Sequence, residues 1–248
     1  MKSASDVTKV LKEIGVGFGM TVLVHHHPLL SELIGGSATL VNSLLALVGD
    51  EGTVCSFELI SDNRDPSLDD KIDFEERTAI RRQLELFDYK RYRDIYYNST
   101  FMALSKTQGR LFNNHPYVVF CVNGKYAKYM VRQQPLDFPF GLQSSFKALN
   151  ELDGYILHFG HQFDNCHELK LIYSMNESLQ SIIVNGAAWG NQWTKYLDYE
   201  TDTSLYEKAV SMCESKKELI VDGLSIQFYK YQDVLTMYER CLAKKFKG

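Results

Sequence analysis

The sequence predicts an α/β domain built on a central sheet of mixed direction. Short apolar, β-branched runs alternate along the chain with stretches of helical periodicity. One uninterrupted strand–helix–strand unit stands near the start: Thr21–Val24, Ser37–Val48 and Thr53–Phe57. The chain of 248 residues is long enough for one well-buried core, and it shows no internal repeat, low-complexity tract or linker. The reading is therefore a single domain over residues 1–248, interrupted by a charged, tyrosine-rich insertion at about 61–98.

The elements follow in order. Ser3 or Ser5 caps a first helix through Ile14, with Val7, Val10, Leu11 and Ile14 on one face. The strand–helix–strand unit comes next and ends near Ile60, with Gly49-Asp50-Glu51-Gly52 closing its helix. The insertion holds one helix near Phe74–Leu86, in a segment long enough to be functional or mobile. A helix from Ser99 to about Lys106, a strand Tyr117–Val122, a helix Tyr126–Val131 and a loop Gln133–Gly141 follow. Phe146–Leu152 reads as a helix leading through Asp153-Gly154 into the strand Tyr155–Phe159. A polar junction, His161–His167, overlaps a helix from about Cys166 to Met175. The last third reads as strands around Ser181–Asn185 and Thr194–Tyr199, a helix Leu205–Cys213, a strand Leu224–Tyr229 and a closing helix Tyr231–Lys244.

Composition narrows the function classes. The formal net charge of −4, with no basic run before the last few residues, argues against nucleic-acid binding. Lys244, Lys245 and Lys247 suit a solvated helix end. No apolar run approaches the roughly 20 residues that cross a bilayer, and the polar, amphipathic amino terminus is unlike a secretory signal. Five scattered cysteines without a CxxC pair argue against a disulfide framework or a structural zinc site. The expected setting is the cytoplasm.

The most informative stretch is Met20–Gly36, MTVLVHHHPLLSELIGG. Its strand ends in three histidines and Pro28, and Gly35-Gly36 open an apolar helix. In an open α/β sheet, ligands bind beyond the carboxyl ends of strands, where a helix amino terminus offers free N–H groups to an anion. The alternative is a tight turn with exposed histidines.

Six segments carry a family resemblance. They are VLVHHHPLLSELIGG followed by GDEGTV; NNHPYVVF with Gly124 shortly after; PFG ahead of ELDGYILHFG; FDNCHEL; KYLDYETD; and VDGLSIQFYKYQDVL. In this order they resemble the aminoglycoside 3-N-acetyltransferase family. Members show a V-H-S-S-L turn before a glycine pair, an S-x-H-P-x-x-S/F segment, an S-P-L-G turn ahead of an L-D-G-x-V/I-L strand, and a D-x-N-T-x-x-H helix start. The resemblance covers nearly the whole chain. It implies a three-layer α/β/α arrangement and transfer of an acetyl group from acetyl-CoA to an amine. A histidine would act as general base, because an ammonium is not nucleophilic until it loses a proton. Backbone N–H groups of a strand-to-helix loop would stabilise the developing oxyanion.

Carried over residue by residue, the resemblance makes Asp164 the family's aspartate and His167 the base, across a three-residue deletion. Without that gap Lys170 takes the histidine's place, and with it Lys170 stands where the family carries a glutamate. On the donor side the resemblance implies His25, His26, His27, Leu29, Gly35, Gly36, His115, Pro116, Pro139 and Gly141. Here His26 and His27 replace two small serines that line the pantetheine arm, Phe112 replaces an arginine and Val119 a serine. Loss of the arginine removes a bidentate phosphate partner.

Other features have two readings. His25–His27 with His161, Cys166 and His167 have metal-ligand chemistry, but neighbours in extended chain point to opposite sides, so at most two of the three converge and no metal is expected. Cys166 beside His167 is a nucleophile or a small core residue. The acidic group Asp62, Asp65, Asp69, Asp70, Asp73, Glu75 and Glu76 attracts a cationic amino sugar or is a solvated loop. Tyr89, Tyr92, Tyr96 and Tyr97 stack on a sugar, or pack in the core or a homodimer interface. The resulting expectation is an acetyl-CoA-dependent N-acetyltransferase acting on a small amine, an amino sugar of a resistance or a biosynthetic substrate. The acceptor would lie against the insertion and Tyr196–Asp202. A divergent donor or amine-directed reaction, or a non-catalytic partner subunit, are the competing readings.

Overall fold

Strand Thr21–His26 (β1) is made of β-branched and apolar residues up to its two terminal histidines, and it occupies the middle of a seven-stranded sheet. A computed structural model describes residues 3–26, 35–60, 64–66, 71–83, 99–132, 134–160, 166–189 and 192–247. Thr53–Leu59 (β2) and Tyr155–Phe159 (β5) flank β1 in parallel. Outside them run antiparallel partners: Val118–Gly124 (β4) and Leu111–Phe112 (β3) on one side, Leu224–Lys230 (β9) and Lys217–Val221 (β8) on the other. The order is β3-β4-β2-β1-β5-β9-β8, a sheet of mixed direction as the sequence predicts. Ile182–Trp189 (β6) and Gln192–Tyr199 (β7) pair only with each other and form a separate hairpin sheet.

Helices cover both faces, which gives the three layers. The side chains of β1 alternate, so Val22 and Val24 enter one core and Leu23 the other. The first core is closed by Ala4–Ile14 (α1), Gly36–Val48 (α2) and Thr100–Ser105 (α4); between α2 and α4 in sequence lies Phe74–Gln83 (α3), which buries none of its side chains. The second core is closed by Ala127–Arg132 (α5), Ser145–Glu151 (α6), Leu171–Met175 (α7), Tyr206–Ser211 (α8) and Tyr231–Lys247 (α9). Leu40, Val41, Leu44 and Val48 of α2 are completely buried, each contributing about 1.5–3 kcal/mol of transfer free energy.

Local chemistry sets the helix ends. Ser3 caps α1 in a reciprocal capping box with Asp6, so Ser3 and not Ser5 is the cap. Ser99 and Ser144 cap α4 and α6. Two strands escape the sequence reading. β3 has two residues and β8 is an edge strand with alternating exposure, so neither leaves an apolar run. The helix expected from Cys166 begins as a 3-10 turn, His167–Lys170, before α7. In the insertion, Arg64 bridges to Ala187 on β6 and Asp65 is buried, while 61–63, 67–70 and 84–98 lie outside the described residues. All five cysteines are buried and none is bonded to another.

Candidate active site

His25 is delivered by the alternation of β1 to the same face as Leu23, at the carboxyl end of the strand. Parallel pairing of β1 with β5 puts it in register with His158, and the two imidazoles stack with centroids 4.7 Å apart and planes 12° from parallel. Phe57 of β2 meets the His25 ring edge-on at 5.4 Å. A row of aromatic rings across three adjacent strands thus fixes the orientation of His25.

Opposite this row stands Glu168, on the 3-10 turn that follows the junction after β5. Its Oε2 is 3.2 Å from His25 Nε2, and the residue has no exposed surface. The angle at this contact falls outside hydrogen-bond geometry, so both carboxylate oxygens and His25 Nε2 lack a hydrogen-bond partner. An unsolvated carboxylate is costly without a compensating neighbour, and the His25 imidazole is the group placed against it. The His25 side chain keeps 14% exposure, which leaves the imidazole reachable. Behind the pair, Cys166 Sγ lies 3.7 Å from His158 Nε2, and the Tyr231 hydroxyl donates to the Glu168 carbonyl at 2.5 Å.

His25, His158 and Glu168 have donor atoms within 4.8 Å of one another, a set different from the histidine cluster considered from sequence. The stacking decides its chemistry. A metal ion must lie near the plane of each imidazole that ligates it, and two rings stacked face to face hold their lone pairs in parallel planes.

His167 lies in the same cleft, under different electrostatics. Burial, followed by the charges of Lys170 and His25, lowers its pKa to about 3, and its Nδ1 is buried without a partner. Lys170 extends over the Phe140 ring at 4.7 Å and faces Asp198 of β7, with Nζ 3.8 Å from Oδ2. Asp164, the family's aspartate by resemblance, lies outside the described residues, as does His161.

The donor-side residues fall into three places. Gly35 and Gly36 open α2 in left-handed conformation, with φ of 81° and 57°. Gly35, Ser37, Ala38, Asn42 and Ser99 border a cavity of about 260 Å³ between α2 and α4. With Met102, Lys106 and Thr107 also in its lining, the cavity is of mixed polarity and lies at the amino terminus of α2, where free N–H groups suit an anion. His26 ends β1, but His27 and Leu29 lie outside the described residues. His115 is buried with both ring nitrogens committed: Nε2 donates to the Leu136 carbonyl at 3.0 Å, and Nδ1 accepts from the N–H groups of Tyr117 and Val118. It therefore ties the loop through Pro116 to the loop that carries Pro139. Gly141 borders a second cavity, of about 500 Å³, with Leu136, Phe138 and Tyr199.

Sequence reasoning passed over Glu168, His158 and Glu58. His158 and Glu58 carry a signal, a polar side chain inside an otherwise apolar strand, whereas Glu168 sits in the polar turn His-Glu-Leu-Lys and carries none. Glu58 follows Phe57 on the opposite face of β2, and burial, opposed by His25 and a hydrogen bond from Ser99, raises its pKa to about 7.

The site thus joins a three-layer α/β/α fold to an imidazole and a carboxylate 3.2 Å apart beyond the central strand, followed by a glycine-opened helix. Residues 24–242 match the family described as aminoglycoside 3-N-acetyltransferase, and the chain belongs to that family. Membership makes it an N-acetyltransferase that uses acetyl-CoA as acyl donor. It is 25% identical over 238 residues to the SPbeta prophage-derived aminoglycoside N(3')-acetyltransferase-like protein YokD of Bacillus subtilis (strain 168), covering 89% of this chain and 84% of that protein. The crystal structure of YokD superposes with a TM-score of 0.85 at 22% identity, over 98% of this chain and 99% of that one. AAC-IIIb in binary complex with CoASH superposes with a TM-score of 0.83 at 19% identity, over 98% and 97% of the two chains. AAC-VIa bound to sisomicin gives 0.79 at 16% identity, over 98% of each. These likenesses bear out the fold expected from sequence. Among the described residues no helix is long and apolar enough to cross a membrane.

Proposed function

We propose that the protein transfers the acetyl group of acetyl-CoA to a primary amine of an amino sugar, with His25 as general base and Glu168 as its charge partner. The observation that carries this reading is the 3.2 Å approach of the two side chains at the end of the central strand. With the imidazole proton on Nε2, facing Glu168, His25 presents the Nδ1 lone pair to the attacking amine in its neutral form. His25 removes the amine proton as the nitrogen bonds to the thioester carbonyl carbon, and Glu168 stabilises the imidazolium that results. Breaking the C–S bond releases the thiolate of CoA, and His25 returns the proton to it. The products are the N-acetyl amine and CoA, and the base is regenerated. His167 has too little proton affinity to compete at neutral pH, which supports His25 over the base that the resemblance implies.

The groove at the start of α2 would hold the donor, and the amino-sugar acceptor would lie between the 3-10 turn and the β6–β7 hairpin. The sisomicin complex of AAC-VIa supports a small polyhydroxylated amine as acceptor class. The test follows CoA thiol release with acetyl-CoA and amino sugars, for the wild type and His25→Ala. Turnover that persists in the variant rejects His25 as base; loss of turnover with acetyl-CoA binding intact supports it.

A further inference from the structure

Cys166, read from sequence as a nucleophile or a small core residue, is neither a reachable thiol nor a plain core side chain. It has no exposed surface, and its Sγ lies 3.7 Å from Nε2 of His158. His158 is itself 2% exposed, on a strand whose other residues are apolar or aromatic, Tyr-Ile-Leu-His-Phe. A buried imidazole is costly unless its nitrogens find partners, so packing alone does not call for a histidine here. The ring is sandwiched between the two neighbouring strands. It stacks on His25 of β1 at 4.7 Å and 12°, and on Tyr229 of β9 at 5.7 Å and 20°. Register sets both contacts: β1 pairs His25 with His158, and β9 places Tyr229 two residues beyond Gln227, the partner of His158.

Held on both faces, His158 cannot swing without unstacking His25. Its charge matters as much as its place. Two imidazolium rings face to face at 4.7 Å repel, so His25 takes up a proton readily only above an uncharged His158. The Cys166 thiol supplies the means. Its S–H is a donor and a neutral imidazole nitrogen accepts it, which leaves the ring proton of His158 on Nδ1. A protonated His158 would instead present a second donor to the thiol. Among the described residues, the other titratable groups around the two rings include Glu168 and His167 on the 3-10 turn, Glu58 on β2 and Tyr229 on β9.

We infer that His158 is a positioning residue for His25, and that the Cys166 thiol keeps it uncharged while His25 carries the amine proton. The inference rests on the reading of His25 as base. His158→Leu removes the ring and should lower kcat about tenfold, with the KM values for acetyl-CoA and acceptor within about twofold of wild type. His158→Phe restores a flat, uncharged ring and should bring kcat back to within about threefold of wild type. Cys166→Ala should lower kcat about threefold, and that loss should vanish when it is combined with His158→Phe, because the thiol then has no imidazole to hold. Nitrogen-15 NMR of the whole protein labelled at histidine reads the charge without turnover. His158, assigned by its absence from the His158→Phe spectrum, should show one protonated and one unprotonated ring nitrogen between about pH 6 and pH 8. Four results each overturn the inference: unchanged kcat in His158→Leu, equal losses in His158→Leu and His158→Phe, a Cys166→Ala loss that persists beside His158→Phe, or a cationic His158 in the spectrum. His25→Ala tests the underlying reading separately. Turnover that persists there sinks the reading, whereas lost turnover together with any of those four results sinks the inference alone.

Discussion

His25 Nε2 stands 3.2 Å from Oε2 of Glu168, and Glu168 has no exposed surface, so the carboxylate has the imidazole as its charge partner. General-base catalysis is worth about 10²–10⁴ in rate. His25→Ala should therefore lower kcat at least about a hundredfold while acetyl-CoA affinity, read by calorimetry, stays within a factor of about three. Glu168→Gln should lower kcat with acetyl-CoA affinity kept, because the amide removes the charge that faces His25. If His167→Ala removes turnover and His25→Ala does not, the roles are reversed.

The folded protein should lose stability on acidification. Burial lowers the pKa of His115 to about 4 and that of His167 to about 3, so unfolding takes up a proton at each once the pH is below about 6.5. Their contribution is fully present above about 6.5 and is lost as the pH falls toward 4. Glu58 acts oppositely. With its pKa raised to about 7, it is protonated when folded and ionised when unfolded between about 4.5 and 7, so it steadies the fold as pH falls. Each proton is worth about 1.4 kcal/mol per pH unit. Glu58→Gln should steepen the loss between pH 6.5 and 4.5 by about that amount, measured by urea unfolding across pH. An unchanged slope would show that Glu58 is ionised in the folded protein.

Asp65 joins the insertion to the hairpin. Its carboxylate takes hydrogen bonds from Arg81 at 2.6–3.0 Å, its N–H donates to the Gly186 carbonyl at 2.8 Å, and Arg81 lies 5.7 Å over the Trp193 ring. Arg81→Ala leaves a nearly buried carboxylate without its bidentate partner and should cost about 1–3 kcal/mol in urea unfolding. With the acceptor beside the hairpin, as proposed above, it should also raise the acceptor KM more than the acetyl-CoA KM.

Gly124 ends β4 with φ of 127°, and a Cβ there would stand 2.2 Å from the Gly52 carbonyl oxygen. Gly124→Ala combines backbone strain with a clash against backbone that cannot rotate away. A loss of at least about 2 kcal/mol is expected, with the thermal midpoint as readout.

The sequence by itself determined the elements whose causes are local. Ser3, Ser99 and Ser144 cap helices through bonds that span three residues, and the apolar runs of β1, β2, β4, β5 and β9 mark the buried strands. It also placed the glycine-opened helix beside the central strand, because that arrangement is written in consecutive residues. The approach of His25 to Glu168 was decided by tertiary structure alone. His25 and Glu168 lie on different elements, and their meeting depends on the place of β1 in the middle of the sheet and on the packing of the 3-10 turn His167–Lys170 against it. The same holds for His158, whose role follows from the strand beside it rather than from its own neighbours in sequence. The separate β6–β7 sheet, which sets Asp198 opposite Lys170, was likewise settled by packing. Propensity and capping act within about one helical turn, whereas these contacts come from strand order and burial, which no local pattern encodes.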